Sequence, residues 1–221
     1  DRDLKAGDTI TLVWGDRRYG GGGVRAPCVG VTYYFLPFRF SLLPRYDRDL
    51  PLRQGAFEAL PSVRVTGKSA TRLHLAFQPL LGKDETFTVQ GAAIDAYGNL
   101  DETFAGGVRC GIRSADGETV ASDITGTFRS GRVVLHGKSP GKPGWYTLQL
   151  SSKDICSGQY PTLVRENTPQ NRLFFGAMHG HTLDCDGTFP ADEHYRYARH
   201  VAGLDFCALG THAEHFGTKA A

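Results

Sequence analysis

Strict alternation of apolar and polar residues, recurring between tight-turn signals, is the feature that most limits what this chain can fold into. Leu73, Leu75 and Phe77 fall on one side of an extended segment, and Phe87 and Val89 begin a second. Val108, Cys110 and Ile112 follow, then Val133 and Leu135, then Tyr146, Leu148 and Leu150. Successive side chains of a strand point to opposite faces, so each run offers one face to a core. Between the runs lie Asp95-Ala96-Tyr97-Gly98-Asn99, Ser114-Ala115-Asp116-Gly117 and Pro140-Gly141-Lys142-Pro143-Gly144, all rich in turn-forming residues. Short strands punctuated in this way predict a β-sandwich over 66–158.

Upstream, Ile10, Leu12 and Trp14 alternate with Thr9, Thr11 and Val13, and Val29 to Phe40 reads as further strand. Residues 1–65 are therefore expected to form a separate β-rich domain, loop-rich from Leu42 to Pro61. The four glycines Gly20 to Gly23 invite a phosphate-loop reading, but such a loop needs Gly-Lys-Ser/Thr opening a helix. Val24-Arg25-Ala26-Pro27 follows instead, so a flexible turn is expected. Within the sandwich, Gly144-Trp145-Tyr146-Thr147-Leu148 resembles the late strand of an immunoglobulin-like module, where a Tyr hydroxyl ties a corner together. Asp95 to Asn99 resembles the Asp-x-x-Gly-Asn turn of bacterial Ig-like domains. Both are read as architecture rather than chemistry.

A net charge of +2 gives no ground for a nucleic-acid partner or a membrane surface. No apolar run reaches the roughly 20 residues a bilayer span needs. There is no signal-peptide core and no initiator Met; a chain opening at Asp1 is expected to be a processed product or a piece of a longer one, and its compartment stays open. The five cysteines, Cys28, Cys110, Cys156, Cys185 and Cys207, are odd in number and widely spaced, which argues against a zinc ribbon or a disulfide framework. Buried free thiols are the plain expectation, with one disulfide in the β-region left open.

Pattern changes after Cys156. Residues 159–171, polar and holding Pro161 and Pro169, read as a linker with room for one strand. From 172 onward the periodicity predicts strand (Leu173 to Met178), helix, strand (Leu204 to Leu209), which is one β-α-β unit. Pro190 suits a first helical turn behind a cap at Thr188 or Phe189. Tyr195, Ala198, Val201 and Ala202 recur at helical spacing, and Gly203 is placed as a C-cap.

Six of the eight histidines lie in this last segment. His179 and His181 are two apart on an extended backbone, so both rings can turn toward one ion. Asp184 and Asp186 follow and offer hard oxygen donors. His212 comes after the second strand, and in a parallel β-α-β unit neighbouring strand ends lie side by side, so it is expected beside the pair. Asp184-Cys185-Asp186-Gly187 fails as a calcium loop, because Thr188 and Phe189 stand where a ligand and a glycine are needed. His194, His200 and His215 are assigned to the surface or to capping.

Phe175-Gly176-Ala177-Met178-His179-Gly180-His181-Thr182, Asp186-Gly187, Tyr195-Arg196-Tyr197-Ala198-Arg199, Ala202-Gly203-Leu204-Asp205-Phe206 and His212 with Glu214 together resemble the PHP (polymerase and histidinol phosphatase) superfamily. The nearest branch is the bacterial group designated DUF3604, in which a β-rich region precedes a PHP-like domain. The resemblance implies a mainly β chain whose C-terminal unit opens a distorted (β/α)7 barrel. It also implies a divalent metal (Zn, Mn or Fe) held by His179, His181, Asp186 and His212, and hydrolysis of a phosphorylated small molecule by activated water. Catalytic residues beyond those ligands are not assigned.

Ala177-Met178 and Gly210-Thr211 stand where the family carries an aspartate before each histidine, so orientation of the rings through that contact is missing. Residues 172–221 hold room for about one β-α-β unit, against the roughly 200 or more that a barrel needs. The chain is therefore expected to be the N-terminal portion of a metal-dependent phosphoesterase, weak or inactive by itself. The rival expectation is a β-rich binding or self-assembly module, associating through the incomplete unit and carrying a vestigial metal-binding tail.

Overall fold

The computed structural model describes residues 16–18, 20, 22, 23, 25, 27–30, 32–34, 62–115, 120–182, 187, 189–210 and 212. Most of the expected 1–65 domain, including the Ile10–Trp14 alternation and the Leu42–Pro61 loops, lies outside them. What is described there is a turn and a small antiparallel ribbon. Gly20 donates to the Arg17 carbonyl at 3.1 Å, and Gly20 and Gly23 take φ of 82° and 77°. The glycine run thus supplies backbone shapes that L side chains avoid. Strand β1 (Thr32–Tyr34) pairs antiparallel with β2 (Ser62–Arg64).

The middle of the chain is a two-sheet sandwich, so the molecule is mainly β. One sheet holds β3 (Arg72–Phe77), β5 (Thr86–Ile94) and β8 (Arg132–Lys138), in that order and antiparallel. The other runs β4 (Leu80–Gly82), β11 (Tyr160–Arg165), β9 (Gly144–Ser152), β6 (Gly106–Ser114), β7 (Val120–Phe128), with β10 (Ile155–Cys156) paired to β9. Only the β4–β11 contact in this sheet is parallel. The chain crosses between sheets at β3/β4, β4/β5, β5/β6, β7/β8 and β8/β9, so neighbours in sequence are repeatedly placed in opposite layers.

The core is the sum of the alternating faces. Leu73, Leu75, Phe87, Val89, Val108, Cys110, Ile112, Leu135, Tyr146, Leu148 and Leu150 all belong to one buried cluster, with Phe104 packed edge-on against Phe128 at 5.2 Å between ring centroids. The Tyr146 hydroxyl donates to the Lys142 carbonyl at 2.9 Å, the corner tie expected from the sequence. Burial, with the Asp123 charge adding to it, pushes the Cys110 thiol up to about 11. At pH 8, a thiol reagent is therefore expected to modify exposed Cys28 and Cys156 promptly and Cys110 only in denaturant. Prompt labelling of Cys110 by peptide mapping would contradict this packing.

Two features of the packing go beyond the sequence pattern. Residues 160–165, in the stretch read as a linker with room for one strand, form β11, an interior strand between β9 and β4. Thr162 and Val164 are buried there, and Pro161 precedes the stretch paired with β4, where its missing N–H removes no bond on that side. The second is in β5, whose burial alternates through Thr86 to Gln90 and then is complete from Gly91 to Ile94. Val89 and Ala93 face the sandwich core, while Ala92 and Ile94 pack outward against Val201 and Leu100. The C-terminal segment thus covers one end of the outer face of the three-stranded sheet, while Thr88, Val134 and His136 on that face stay exposed.

Candidate functional site

That segment is built from β12 (Gly176–Ala177), α1 (Ala191–His200) and β13 (Phe206–Cys207), with β12 and β13 parallel. Both strands are shorter than the sequence predicts. Among the described residues each pairs only with the other, and their flanks are held differently: Gln78 Nε2 donates to the Leu173 carbonyl at 2.9 Å, and Phe175 N–H donates to Asp205 Oδ2 at 2.8 Å. The helix starts one residue later than predicted. Pro190 is itself the cap residue, without a side-chain cap bond, and Asp192 and Glu193 in the first turn suit the positive end of the helix dipole. The C-cap is Val201 rather than Gly203, which follows two residues on in the left-handed region at φ 66°; Leu204 N–H returns to the Ala198 carbonyl at 2.9 Å.

Docking of α1 on the sandwich uses few but specific contacts. His74 Nε2 meets the Ala202 carbonyl at 3.0 Å, and the Tyr197 hydroxyl donates to the Gly98 carbonyl at 3.0 Å. Gly203 lies so close to β3 that a Cβ there would sit 2.4 Å from Ala76 Cβ. Arg172 pairs with Glu85 and donates to the Leu80 carbonyl at 3.0 Å. Burial alone would raise the Glu85 carboxyl, but the Gly82 N–H, Arg172 and the Thr168 hydroxyl together hold it below the usual range.

Hydrogen bonding of the parallel pair continues beyond the strands. Ala208 N–H donates to Ala177 and Gly210 N–H to Gly180, each at 2.8 Å, so the two strand ends stay in step past the last paired residues. This brings together three predicted ligands. His179 and His181 approach with Nε2 atoms 2.7 Å apart and ring centroids at 4.6 Å; the His181 and His212 centroids are 4.7 Å apart. Gly210 packs closely beneath them: a Cβ there would lie 3.0 Å from His179 Nδ1, which the ring would have to yield to. A Cβ at Gly187 would lie 2.3 Å from the His181 carbonyl, and Gly187 N–H donates to the Thr182 carbonyl at 2.9 Å, so Gly187 lies against the backbone of 181–182. Asp184 and Asp186, the acidic candidates, lie outside the described residues, as does His215.

As arranged, one Nε2 of the 179/181 pair carries the proton that the other accepts. Two nitrogens each about 2.05 Å from a tetrahedral ion would be about 3.3 Å apart, so an ion would need these rings to part by about half an ångström. Among the described residues no group of three or more His, Cys, Asp or Glu side chains has the geometry of an ion-holding set. The donor chemistry, three imidazoles at two neighbouring strand ends, would suit a borderline ion such as Zn²⁺ were the rings to open.

One contact was missed from sequence. His194, assigned to the surface or to capping, instead lies against Gly180 and meets Cys207 Sγ at 3.3 Å from Nε2. The signal was available: 194, 198 and 201 follow helical spacing, and Ala198 and Val201 are buried. His200 is exposed, as expected. Two concavities flank the docked segment, one of about 240 Å³ beside α1 and one of about 700 Å³ between β3 and residues 202–205, and neither is lined by the three clustered histidines.

No family model and no curated protein matches the chain. Among solved structures, a glycosyl hydrolase family 2 member from Bacteroides cellulosilyticus matches 51% of the chain at 12% identity and a TM-score of 0.36, and the chain spans only 16% of that protein. The Lin-41 filamin domain matches 46% of the chain at 22% identity and a TM-score of 0.35, along 100% of its own length. Both scores are low, and neither likeness carries a functional inference.

Proposed function

We propose that the chain is the N-terminal portion of a PHP-like, metal-dependent phosphoesterase, with His179, His181, Asp186 and His212 as ligands. The observation that supports this most is the meeting of three imidazoles at the ends of two parallel strands joined by a helix. A divalent ion there would act as a Lewis acid and lower the pKa of its water toward neutrality. The protein's own part is to hold the rings: the Gly180–Gly210 hydrogen bond fixes the strand ends, Gly210 leaves room for the His179 imidazole, and Gly187 packs against the His181 backbone.

Metal analysis after dialysis against Zn²⁺ or Mn²⁺ is the direct test. About one ion per chain is expected for the wild type, with affinity at least about tenfold lower in His181→Ala. Turnover of p-nitrophenyl phosphate, however slow, should disappear in the same variant. A metal-free wild type would remove the phosphoesterase reading.

The second reading, a β-rich module that self-associates, is favoured by a different observation. Leu173, Phe174, Phe175, Met178 and Phe206 are 51%, 66%, 55%, 80% and 45% exposed, an unusual run of apolar surface around one short sheet. Bound metal without turnover, together with an oligomer in sedimentation, would favour this reading over the first.

A further inference from the structure

We infer that His194 is a positioning residue: seated on Gly180 and in hydrogen-bond contact with Cys207, it sets from α1 the spacing of the three clustered imidazoles. Gly180 lies between His179 and His181, and a Cβ built there would fall 2.8 Å from both Cε1 and Nε2 of His194. The ring edge therefore rests on the backbone of the His-Gly-His stretch, closer than any residue but glycine at 180 would allow. The same Nε2 meets Cys207 Sγ at 3.3 Å, and Cys207 is paired with Ala177 across the parallel sheet. One side chain of α1 thus touches both strands that lead into the cluster.

The helix has its own anchorage on the sandwich, so His194 reaches Gly180 from a fixed support. Ala198, one turn further along the same face, and Val201 are buried, and the Tyr197 hydroxyl reaches the Gly98 carbonyl. Backbone bonds such as Gly210 N–H to the Gly180 carbonyl keep the strand ends in step, but they do not resist movement toward the helix. His194, with Leu209 beside it, fills that side. The margin is small: the Nε2 atoms of His179 and His181 are 2.7 Å apart, whereas about 3.3 Å would suit a tetrahedral ion. Small drifts at Gly180 therefore change what the rings can hold. The ring arrangement follows from these contacts alone; only its effect on an ion rests on the metal-dependent reading above.

The test uses the full chain, first without metal. Ring-proton NOEs between His179 and His181 and between His181 and His212, assigned with His179→Ala and His212→Ala, are expected in the wild type. They should be lost in His194→Ala and return in His194→Gln, whose amide can still reach Cys207. Amide exchange across Ala191–His200 should be unchanged in both variants, which a general loosening of the segment would not allow. Zn²⁺ affinity should fall at least about tenfold in His194→Ala and recover in His194→Gln. Cross-peaks that persist in His194→Ala, unchanged Zn²⁺ affinity, or cross-peaks that vanish together with the exchange protection of α1 would overturn the positioning role. A wild type that binds no Zn²⁺ would remove the metal reading and leave the NOE result to decide this one. Gly180→Ala, which drives a methyl group into the same ring, should abolish the same cross-peaks and supplies the answer should His194→Ala fail to fold.

Discussion

Asp95→Ala is expected to lower the unfolding free energy by about 3 kcal/mol or more, a larger loss than any surface substitution should cause. Asp95 is buried, and both carboxylate oxygens are fully used. Oδ1 accepts the N–H groups of Tyr97 and Asn99, each at 2.9 Å; Oδ2 accepts Lys68 N–H at 3.1 Å and Asn99 Nδ2 at 3.0 Å. Asn99 then passes the connection on, donating to the Cys28 carbonyl at 2.7 Å and accepting Gly30 N–H at 2.6 Å. The turn also presents the Gly98 carbonyl to Tyr197. One side chain thus ties the approach to β3, residues 28–30 and helix α1 to the same point. Asp95→Asn should be nearly as damaging, because an amide NH₂ at the Oδ2 position would face two donors. Urea unfolding measures both; a loss below about 1 kcal/mol would mean that the turn is not the hub described here.

The same network sets the acid limb of stability. Burial opposes ionisation of Asp95, but hydrogen bonds from the Asn99 side chain and from the N–H groups of Lys68, Asn99 and Tyr97 outweigh it, and its pKa is lowered. Asp101 behaves alike: burial is outweighed by the Thr103 hydroxyl and the N–H groups of Ala70, Thr103 and Phe104. Glu85 is lowered as well. Each carboxyl has a folded pKa below its unfolded one, so the folded state binds fewer protons over that interval. The stabilisation is complete above the unfolded values of about 4 and is lost as pH falls through the folded values beneath them. Asp95→Asn should flatten this limb relative to the wild type, which unfolding midpoints measured from pH 6 downward will show.

Gly203→Val should detach the C-terminal segment while leaving the sandwich folded. The position has φ 66°, which a β-branched residue avoids, at a cost of roughly 1–3 kcal/mol. Its Cβ would also fall 2.4 Å from Ala76 Cβ, and overpacking of that kind costs roughly 1–3 kcal/mol more. The contacts near α1 that oppose this strain are the Val201 cluster, the His74–Ala202 bond and the Tyr197–Gly98 bond, while Arg172–Glu85 and Gln78–Leu173 hold only the start of the segment. Amide exchange should then rise across Ala191–His200 and at Gly210, whose N–H holds the histidine-bearing strand ends together. Exchange in β6 and β9, at the centre of the larger sheet, should be unchanged. Equal acceleration everywhere would show that the segment and the sandwich unfold as one unit.

The sandwich strands could be read directly from residue order. The alternation in Leu73/Leu75, Val108/Cys110/Ile112, Val133/Leu135 and Tyr146/Leu148/Leu150 is a property of extended backbone, and each run buries the face its pattern names. The spacing of His179 and His181 was legible for the same reason, and their approach to His212 followed from the parallel β-α-β pattern. Tertiary structure alone decided the rest. Whether the 160–165 segment serves as linker or interior strand depended on β4 and β9 lying on either side of it. Whether the outer face of β5 meets water or Val201 depended on residues more than a hundred positions away. His194 looked like a surface residue until Gly180 and Cys207 were brought against it. Periodicity is local because covalent geometry sets it, whereas the choice of which exposed face is covered belongs to packing between distant segments, which no local pattern encodes.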